Sequence, residues 1–270
     1  MQFPASLLAQ LAKMNFKAKA IKLPVGFAGL PPGHPFEAKD QKAPDPSALF
    51  VAASTLNLHV DTAKTIGSQV ESLIDACADA VGQAFQQWQS ALKFAGVMIN
   101  GPVGMAMPGS LVGPPLSGLI QGPIMAKCAG KQSSFIQHAK AITTAIGTAV
   151  SAWQTSFMAN LTFPGGAVCS VTMVPSPNIP VPVAAGTSPA GDAMIQAGTL
   201  KGLMLANHGK PGNHTLDIFD AFAQAFCTVF TQWKAATMIN GIMGAGGVAP
   251  PPPSPPGPVA MAIGSMGAVV

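Results

Sequence analysis

Three amphipathic stretches of this chain each carry a single tryptophan, and each then runs into uncharged sequence rich in glycine and proline. The three tryptophans are Trp88, Trp153 and Trp233. An asparagine follows the second and third tryptophans by seven residues, at Asn160 and Asn240, whereas the counterpart in the first stretch, Asn100, comes five positions later. This self-similarity predicts a triplicated helix-plus-tail unit, and a triplicated unit suits a threefold axis better than it suits an active site.

Apolar side chains recur every three or four positions in each stretch, which predicts three long amphipathic helices. We expect the first to run from about Asp61, a candidate N-cap, to about Lys93. The second should begin at Ser133 or Ser134, either of which could cap it, and the third after Asn213. Acidic residues in the first turns of the third helix and a lysine near its end suit the helix dipole; these are Asp217, Asp220 and Lys234.

The tails after these helices cannot remain helical because glycine and proline interrupt them. Residues 168–174 alternate partly like a strand, and the prolines restrict the other tail sequence to edge strands or extended runs. Shorter helices are expected at 5–13, at 46–54 and, inserted into the second unit, at about 192–207. The predicted fold class is α+β and helix-dominated, with three pseudo-equivalent helices around an approximate threefold axis, each followed by an extended or short-strand tail.

The pattern divides the chain into a leader and three units. The leader, a basic arm, covers 1–59, and the units at 60–130, 131–213 and 214–270 are expected to form one compact domain. Six of the fourteen lysines lie in the first 42 residues. Such an arm could bind an acidic partner or an anionic lipid surface, or it could be a solvated segment.

Charge is scarce in this chain. Charged residues make up 9 % of it, against roughly 25 % in ordinary globular proteins, and apolar residues reach 49 %. A surface with so few charges is expected to rest largely against other protein. All the basic residues are lysines, so the bidentate guanidinium contacts that recognise phosphate or guanine are missing. We therefore expect no nucleic-acid partner despite the net charge of +4.

The first residues lack the order of a secretory signal peptide, because the lysines follow the apolar run instead of preceding it. A location in the cytoplasm, or within a virion or secretion particle, is expected, without a cleaved signal. The cysteines favour a reducing compartment because they are isolated and have no metal-ligand spacing, and two of them fall on apolar helix faces. They are Cys77, Cys128, Cys169 and Cys227.

Residue types that carry catalysis are scattered, and nucleophile and phosphate-loop motifs are missing from the sequence. His208 and His214 could bind a metal only with help from elsewhere, so a polar turn is the favoured interpretation. His138 has no carboxylate near it in sequence. Three acids spaced four apart on the first helix predict a solvated face; they are Glu71, Asp75 and Asp79. We therefore predict no enzyme activity, no metal, no cofactor and no small-molecule substrate.

The three tryptophans are most simply core anchors at the points where helices meet. The segments at 94–126 and 235–270 contain no charged residue, and uncharged tracts of that length could span a membrane. However, a proline-interrupted backbone would leave amides and carbonyls unpaired in lipid. These tails are expected to lie against protein, and a membrane-active protein, such as a pore-former or translocation factor, is the alternative.

One short motif resembles a known family. Gly96-Val97-Met98-Ile99-Asn100-Gly101-Pro102, followed by Gly113-Pro114, resembles the apolar Gly/Pro-rich turns of PAAR-repeat proteins, and Met238-Ile239-Asn240-Gly241 repeats its start. Proteins of that family cap the trimeric spike of contractile tails and type VI secretion systems. The family's dipeptides and its His/Cys metal set have no clear counterpart here, so the resemblance implies a spike-associated structural protein rather than a zinc-bound tip.

Low charge, triplication and apolar tails together predict a non-enzymatic structural or interaction protein of a large assembly, such as a cap or adaptor of a phage tail or contractile injection system. The helix–tail junctions near Asn100, Asn160 and Asn240 are the expected partner-binding sites. One copy is expected to dock on a trimeric partner, because a chain with three similar faces can match a threefold axis by itself.

Overall fold

The computed structural model describes residues 2–24, 40–100, 103–163, 177–247, 261–265 and 268–269. Helices dominate and short strands accompany them, so the α+β class is confirmed. The three long helices predicted from apolar periodicity are present. They are α2 (Asn57–Ala91), α5 (Ser133–Ser156) and α8 (Thr215–Ala236).

The ends of these helices differ from the predicted ones. Leu56 is the N-cap of α2, so Asp61 lies inside the helix instead of capping it, and its carboxylate pairs with Lys42. Gln132, not a serine, is the N-cap of α5. Lys93 lies in a strand beyond α2. The predicted caps were wrong because the chain enters α2 and α5 from an extended backbone with no side-chain cap. The predicted starts of α5 at Ser133 and of α8 after Asn213 are confirmed, whereas α2 begins four residues before Asp61.

The dipole pattern of the third helix is confirmed. Asp217 lies in the first turn of α8, Asp220 follows in the next turn, and Lys234 lies in the last turn.

Five shorter α-helices and a one-turn 3-10 helix, Val183–Ala185, complete the helical part of the described chain. The five α-helices are α1 (Ala5–Lys17), α3 (Leu116–Leu119), α4 (Gln121–Cys128), α6 (Pro189–Met194) and α7 (Ala197–His208). The helix predicted at 5–13 is thus confirmed and extends by one turn, while the helix predicted at 46–54 is wrong. There the Asp45 carboxylate accepts hydrogen bonds from the backbone N–H and hydroxyl of Ser47, which holds a turn. The single insertion predicted at 192–207 is two helices, divided at Ile195 and Gln196.

The long helices run parallel, and shorter helices run antiparallel in the gaps between them. Ala5 of α1 lies against Gly82 of α2, while Lys13, later in α1, pairs with the earlier Asp75. The helix α1 fills the gap between α2 and α8, α3 and α4 fill the gap between α2 and α5, and α7 fills the gap between α5 and α8. Each gap therefore contains at least one helix from the same chain.

The segment predicted as a basic leader takes part in the core. Leu8, Ala12 and Phe16 of α1 are fully buried between α2 and α8. Lys13 pairs with Asp75, and Lys19 pairs with Asp220. These lysines are therefore used within the chain, at least in part, and the helix they flank is held by apolar burial.

The described residues include ten short strands, which form two antiparallel sheets at the C-terminal end of the long helices. Sheet 1 has the order β4 (Leu111–Val112), β1 (Lys93–Phe94), β10 (Ala268–Val269), β7 (Met238–Asn240) and β6 (Val181–Pro182). Sheet 2 has the order β5 (Ala159–Thr162), β3 (Val103–Ala106), β2 (Val97–Asn100), β9 (Met261–Ser265) and β8 (Met243–Gly247).

The predicted effect of proline on strands is confirmed at Pro182. It lies in β6, an edge strand of sheet 1, where its missing N–H interrupts no central ladder. The strand-like alternation predicted at 168–174 lies outside the described residues.

Candidate functional site

The three tryptophans lie together in the core. Trp88, Trp153 and Trp233 are buried, and their ring centroids are 5.7 to 6.2 Å apart, so each ring contacts the other two. Phe85 and Phe230 pack against this triangle edge-on and tilted. Edge-to-face and tilted aromatic pairs at such distances are attractive beyond the area that they bury. This cluster, the tryptophan layer, joins all three long helices at one level.

Two indole N–H groups of the layer are bonded between helices. Trp88 Nε1 donates to Gln154 Oε1 at 2.8 Å, and Trp233 Nε1 donates to Gln89 Oε1 at 3.0 Å. Each acceptor directly follows the tryptophan of another long helix. The equivalent residue of α8 is Lys234, which cannot accept, and its Nζ lies 2.9 Å from the Asp192 carboxylate.

The layer sits at three similar helix-to-strand junctions. Four residues after each tryptophan the chain leaves the helix through an extended C-cap with ψ between 134° and 136°; these caps are Leu92, Phe157 and Thr237. A strand begins within two residues of each cap, at β1, β5 and β7. The similarity ends at the strands, because β1 and β7 belong to sheet 1 and β5 belongs to sheet 2.

The structure brings two of the three predicted partner-binding asparagines onto one sheet. Asn100 is opposite Val103, and Asn160 is opposite Met105, so both lie in strands that flank β3 in sheet 2. Asn240 lies in sheet 1, and its side-chain oxygen accepts the N–H of Gly241. Counted from the tryptophans, the residue of the first junction that corresponds to Asn160 and Asn240 is Ala95, and Asn100 lies five residues beyond it.

Around these asparagines, sheet 2 has one buried face and one exposed face. Val97, Ile99, Ala106 and Leu161 point into the core. Gly104 lies on the same buried side, where an added Cβ would lie 2.7 Å from the Phe163 ring. A larger residue at that position would therefore disturb the packing of the sheet on the core.

The opposite side, which we call the outer face, exposes apolar side chains. Met98, Val103 and Met105 are 49 %, 48 % and 44 % exposed, and Met98 and Met105 are directly paired across β2 and β3. Asn160 and Thr162 of β5 are exposed beside them, and these five described side chains include no charge. An uncharged sheet face of this kind is typical of a protein-binding surface. Sequence reasoning missed it, although the alternation of Val103 and Met105 with small residues was a visible signal.

Two histidines, His138 and His208, lie together near the N-terminal ends of α5 and α8. His138 Nδ1 donates to Ser134 O at 2.7 Å, and its Nε2 lies 3.0 Å from the Thr215 hydroxyl, which donates to it. The His208 ring lies 4.4 Å from the His138 ring, and burial together with the nearby His138 lowers the pKa of His208. His138 is thus oriented by a carbonyl and a hydroxyl, not by a carboxylate.

Other residues that were considered for chemistry have structural contacts. Asp75 and Asp79 pair with Lys13 and Lys127, so the acidic stripe of α2 holds α1 and α4 in addition to facing solvent. His214 Nδ1 lies 3.5 Å from the Asp217 carboxylate. Within the described ranges, no three histidine, cysteine or acidic side chains lie close enough together to bind a metal ion.

Three cysteines are free thiols in the described part of the chain, and Cys169 lies outside it. Cys77 and Cys128 are buried, and burial raises the pKa of both thiols. Cys227 is half-buried; desolvation raises its pKa to about 11, and its Sγ contacts the carbonyl oxygen of Ile195 at the break between α6 and α7. All three thiols are therefore protonated near neutral pH and poor nucleophiles.

Comparisons of the chain with protein-family models, with curated proteins and with solved structures found no match. A search of the described helices found none with the length and apolar character needed to cross a membrane.

Proposed function

We propose that this protein is a non-enzymatic structural component of a larger assembly and that it binds a protein partner through the outer face of sheet 2. The exposed, uncharged group Met98, Val103 and Met105 is the observation that carries the proposal. Paired methionines adapt to the shape of a partner, and Asn160 beside them supplies hydrogen-bonding groups. A partner with an apolar surface edged by polar groups would complete this face.

The internal arrangement favours a partner with threefold symmetry. The parallel long helices, the tryptophan layer and the antiparallel helices in the three gaps support a pseudo-threefold organisation of the chain. In this proposal each unit is a shorter helix, the long helix that follows it, and the strand after that helix. One copy would then dock on a trimer, with the junctions near Asn160 and Asn240 and the strand around Asn100 at the contact.

The assembly that we propose is a phage tail or contractile injection system, where the protein would be a spike-associated cap or adaptor. Support comes from the short resemblance around Asn100 to PAAR-repeat turns and from the scarcity of surface charge. Location within such a particle is part of the same proposal.

The test compares one double variant and one single control variant in the native assembly. Met98→Glu combined with Met105→Glu places two charges on the outer face, whereas Met125→Glu places one at a 50 % exposed methionine of α4, away from the sheets. We expect wild type and Met125→Glu to copurify with the particle and the double variant to be lost from it. Circular dichroism and thermal unfolding of the free proteins would verify that all of them fold.

Incorporation of the double variant at the wild-type level would refute the outer face as the docking surface. Quantitative mass spectrometry of the particle should find about one of these chains for every three partner chains. An equal ratio would contradict the threefold proposal. Binding of the wild type to phospholipid vesicles in a flotation assay, with dye leakage and no particle association, would instead support the membrane-active alternative.

A further inference from the structure

A groove of about 610 Å³ opens between the N-terminal halves of α2 and α5, at the end of the bundle opposite the sheets. Its apolar lining comes from all three long helices and includes Val70 and Leu73 of α2, Phe135 of α5 and Ile218 of α8. The volume falls within the range of about 300–1,000 Å³ that is typical of small-molecule sites. None of these residues belongs to the proposed protein-docking face.

The groove exists because one gap between the long helices is only partly filled. The helix α4 ends at Cys128, one residue after Lys127, which pairs with Asp79 of α2. The helix α2 begins at Asn57 and therefore extends several turns beyond that level. In the gap between α5 and α8, by contrast, α7 continues to His208, whose ring contacts Phe219 near the start of α8. Apolar residues of α2 between Thr65 and Leu73 are left facing the start of α5.

The polar lining is positive at one end. Lys131 is the one lysine among the described residues that line the groove, and no acidic side chain lines it. Its Nζ lies 5.3 Å from the centroid of the Phe135 ring and 3.5 Å from the Ser72 hydroxyl. Three acids of α2 line the adjacent depression that also contains Lys131: Asp75 and Asp79 pair with lysines of α1 and α4, and Glu71 lies beside them.

The start of α5 adds to this positive end. The helix has 24 residues, no acidic residue in its first turn and no side chain bonded to its first N–H groups. Ser134 and Phe135, in that first turn, line the groove. The positive end of the helix dipole thus lies beside Lys131, next to an apolar floor.

We propose that this groove binds an amphipathic carboxylate of the fatty-acid class. The apolar chain lies along Val70, Leu73 and Ile218, and the carboxylate lies between the Lys131 ammonium and the first N–H groups of α5. This binding is independent of the protein-docking proposal and involves no chemical step.

The test uses decanoate and 1-decanol, which share the apolar chain and differ in the head group, measured by isothermal titration calorimetry on the full chain. We expect wild type to bind one decanoate per chain and to bind it about threefold to tenfold more tightly than 1-decanol, because only the carboxylate pairs with Lys131. Lys131→Met should remove this preference while leaving the binding of 1-decanol unchanged. Ser68→Trp, at an exposed position on the groove wall, should weaken both ligands.

Lys140→Met is the matched control. Lys140 lies on α5 and is exposed, as Lys131 is, but it does not line the groove. It should bind decanoate as wild type does, and decanoate should shift the NMR resonances of His138, which lines the groove. The proposal fails if wild type shows no saturable binding at millimolar decanoate. It also fails if Lys131→Met and Lys140→Met change decanoate affinity equally, or if the His138 resonances do not respond.

Discussion

The two ends of the helical bundle are built on different principles. At the C-terminal end, Trp88, Trp153 and Trp233 exclude water and hold the helices by aromatic contact. At the N-terminal end, a hydrogen bond between His138 and Thr215 joins α5 to α8, and the groove beside α2 is open. The first end can therefore define the geometry of the junctions to the sheets, while the second can respond to pH and accommodate a ligand.

The largest effect on stability is expected when one ring is removed from the tryptophan layer. Trp153→Ala should lower the free energy of unfolding by about 3–5 kcal/mol, because the cavity it leaves is lined by other rings that cannot collapse into it. His138→Ala, at the polar end, should cost about 1–3 kcal/mol through its lost hydrogen bonds. Urea denaturation of both variants measures the difference, and equal costs would contradict the assignment of the tryptophan layer as the dominant anchor.

A smaller loss of stability is expected from a substitution where α6 packs against the tryptophan layer. A Cβ at Gly191 would lie 2.1 Å from the Cα of Trp153, so Gly191→Ala should destabilise the protein by about 1–3 kcal/mol. Gly198→Ala in the neighbouring α7 is the control, because a Cβ there has no heavy atom within 4 Å. It should stabilise by about 0.4–1 kcal/mol through helix propensity. Thermal unfolding that moves both variants in the same direction would refute the close packing at Gly191.

The polar end should show a pH dependence that the aromatic end lacks. Burial lowers the pKa of His208 from 6.5, so the folded state favours the neutral ring. The unfolded chain then binds more protons as the pH falls below about 6.5, and the stability present above that pH is lost down to the folded-state pKa. The denaturation midpoint should therefore fall between pH 7.5 and pH 5.0, and His208→Gln should reduce that fall. An unchanged pH profile in the variant would exclude His208 as its source.

The smallest effect is expected at the ion pairs on the sides of the bundle. Lys127 and Asp79 pair at 2.8 Å, but their side chains are 37 % and 53 % exposed, so solvent screens the attraction. Lys127→Met should cost less than about 1 kcal/mol, and added salt should reduce the difference from wild type. A larger cost that does not depend on salt would show that the lysine stem contributes by packing α4 onto α2.

Elements with a strong local pattern could be predicted from the sequence alone. The spacing of apolar residues around Trp88, Trp153 and Trp233 predicted three long helices, and all three are present. Two of their caps were mispredicted, since Asp61 and the serines at 133 and 134 are common capping residues but the chain enters α2 and α5 without using them as caps, although α5 does begin at Ser133. Capping preference is worth about 1 kcal/mol, which tertiary contacts readily override.

The candidate site was predictable only in fragments. Asn100 and Asn160 were singled out from a repeat, yet the surface that they flank depends on the pairing of β3 with both β2 and β5. That pairing decides that Met98, Val103 and Met105 form one exposed group. The groove beside Lys131 gave no sequence signal at all, because it results from the early end of α4 relative to the start of α2.

The sequence by itself determined the helix-dominated class and the three similar helix ends, because the periodicity of apolar residues acts within a few turns of one chain segment. Only the tertiary structure decided that α1 closes a gap in the core, that Thr215 orients His138, and that the strands after the tryptophans divide between two sheets. The physical reason is that these contacts join residues far apart in the chain, and their formation depends on how whole elements pack, which no local pattern encodes.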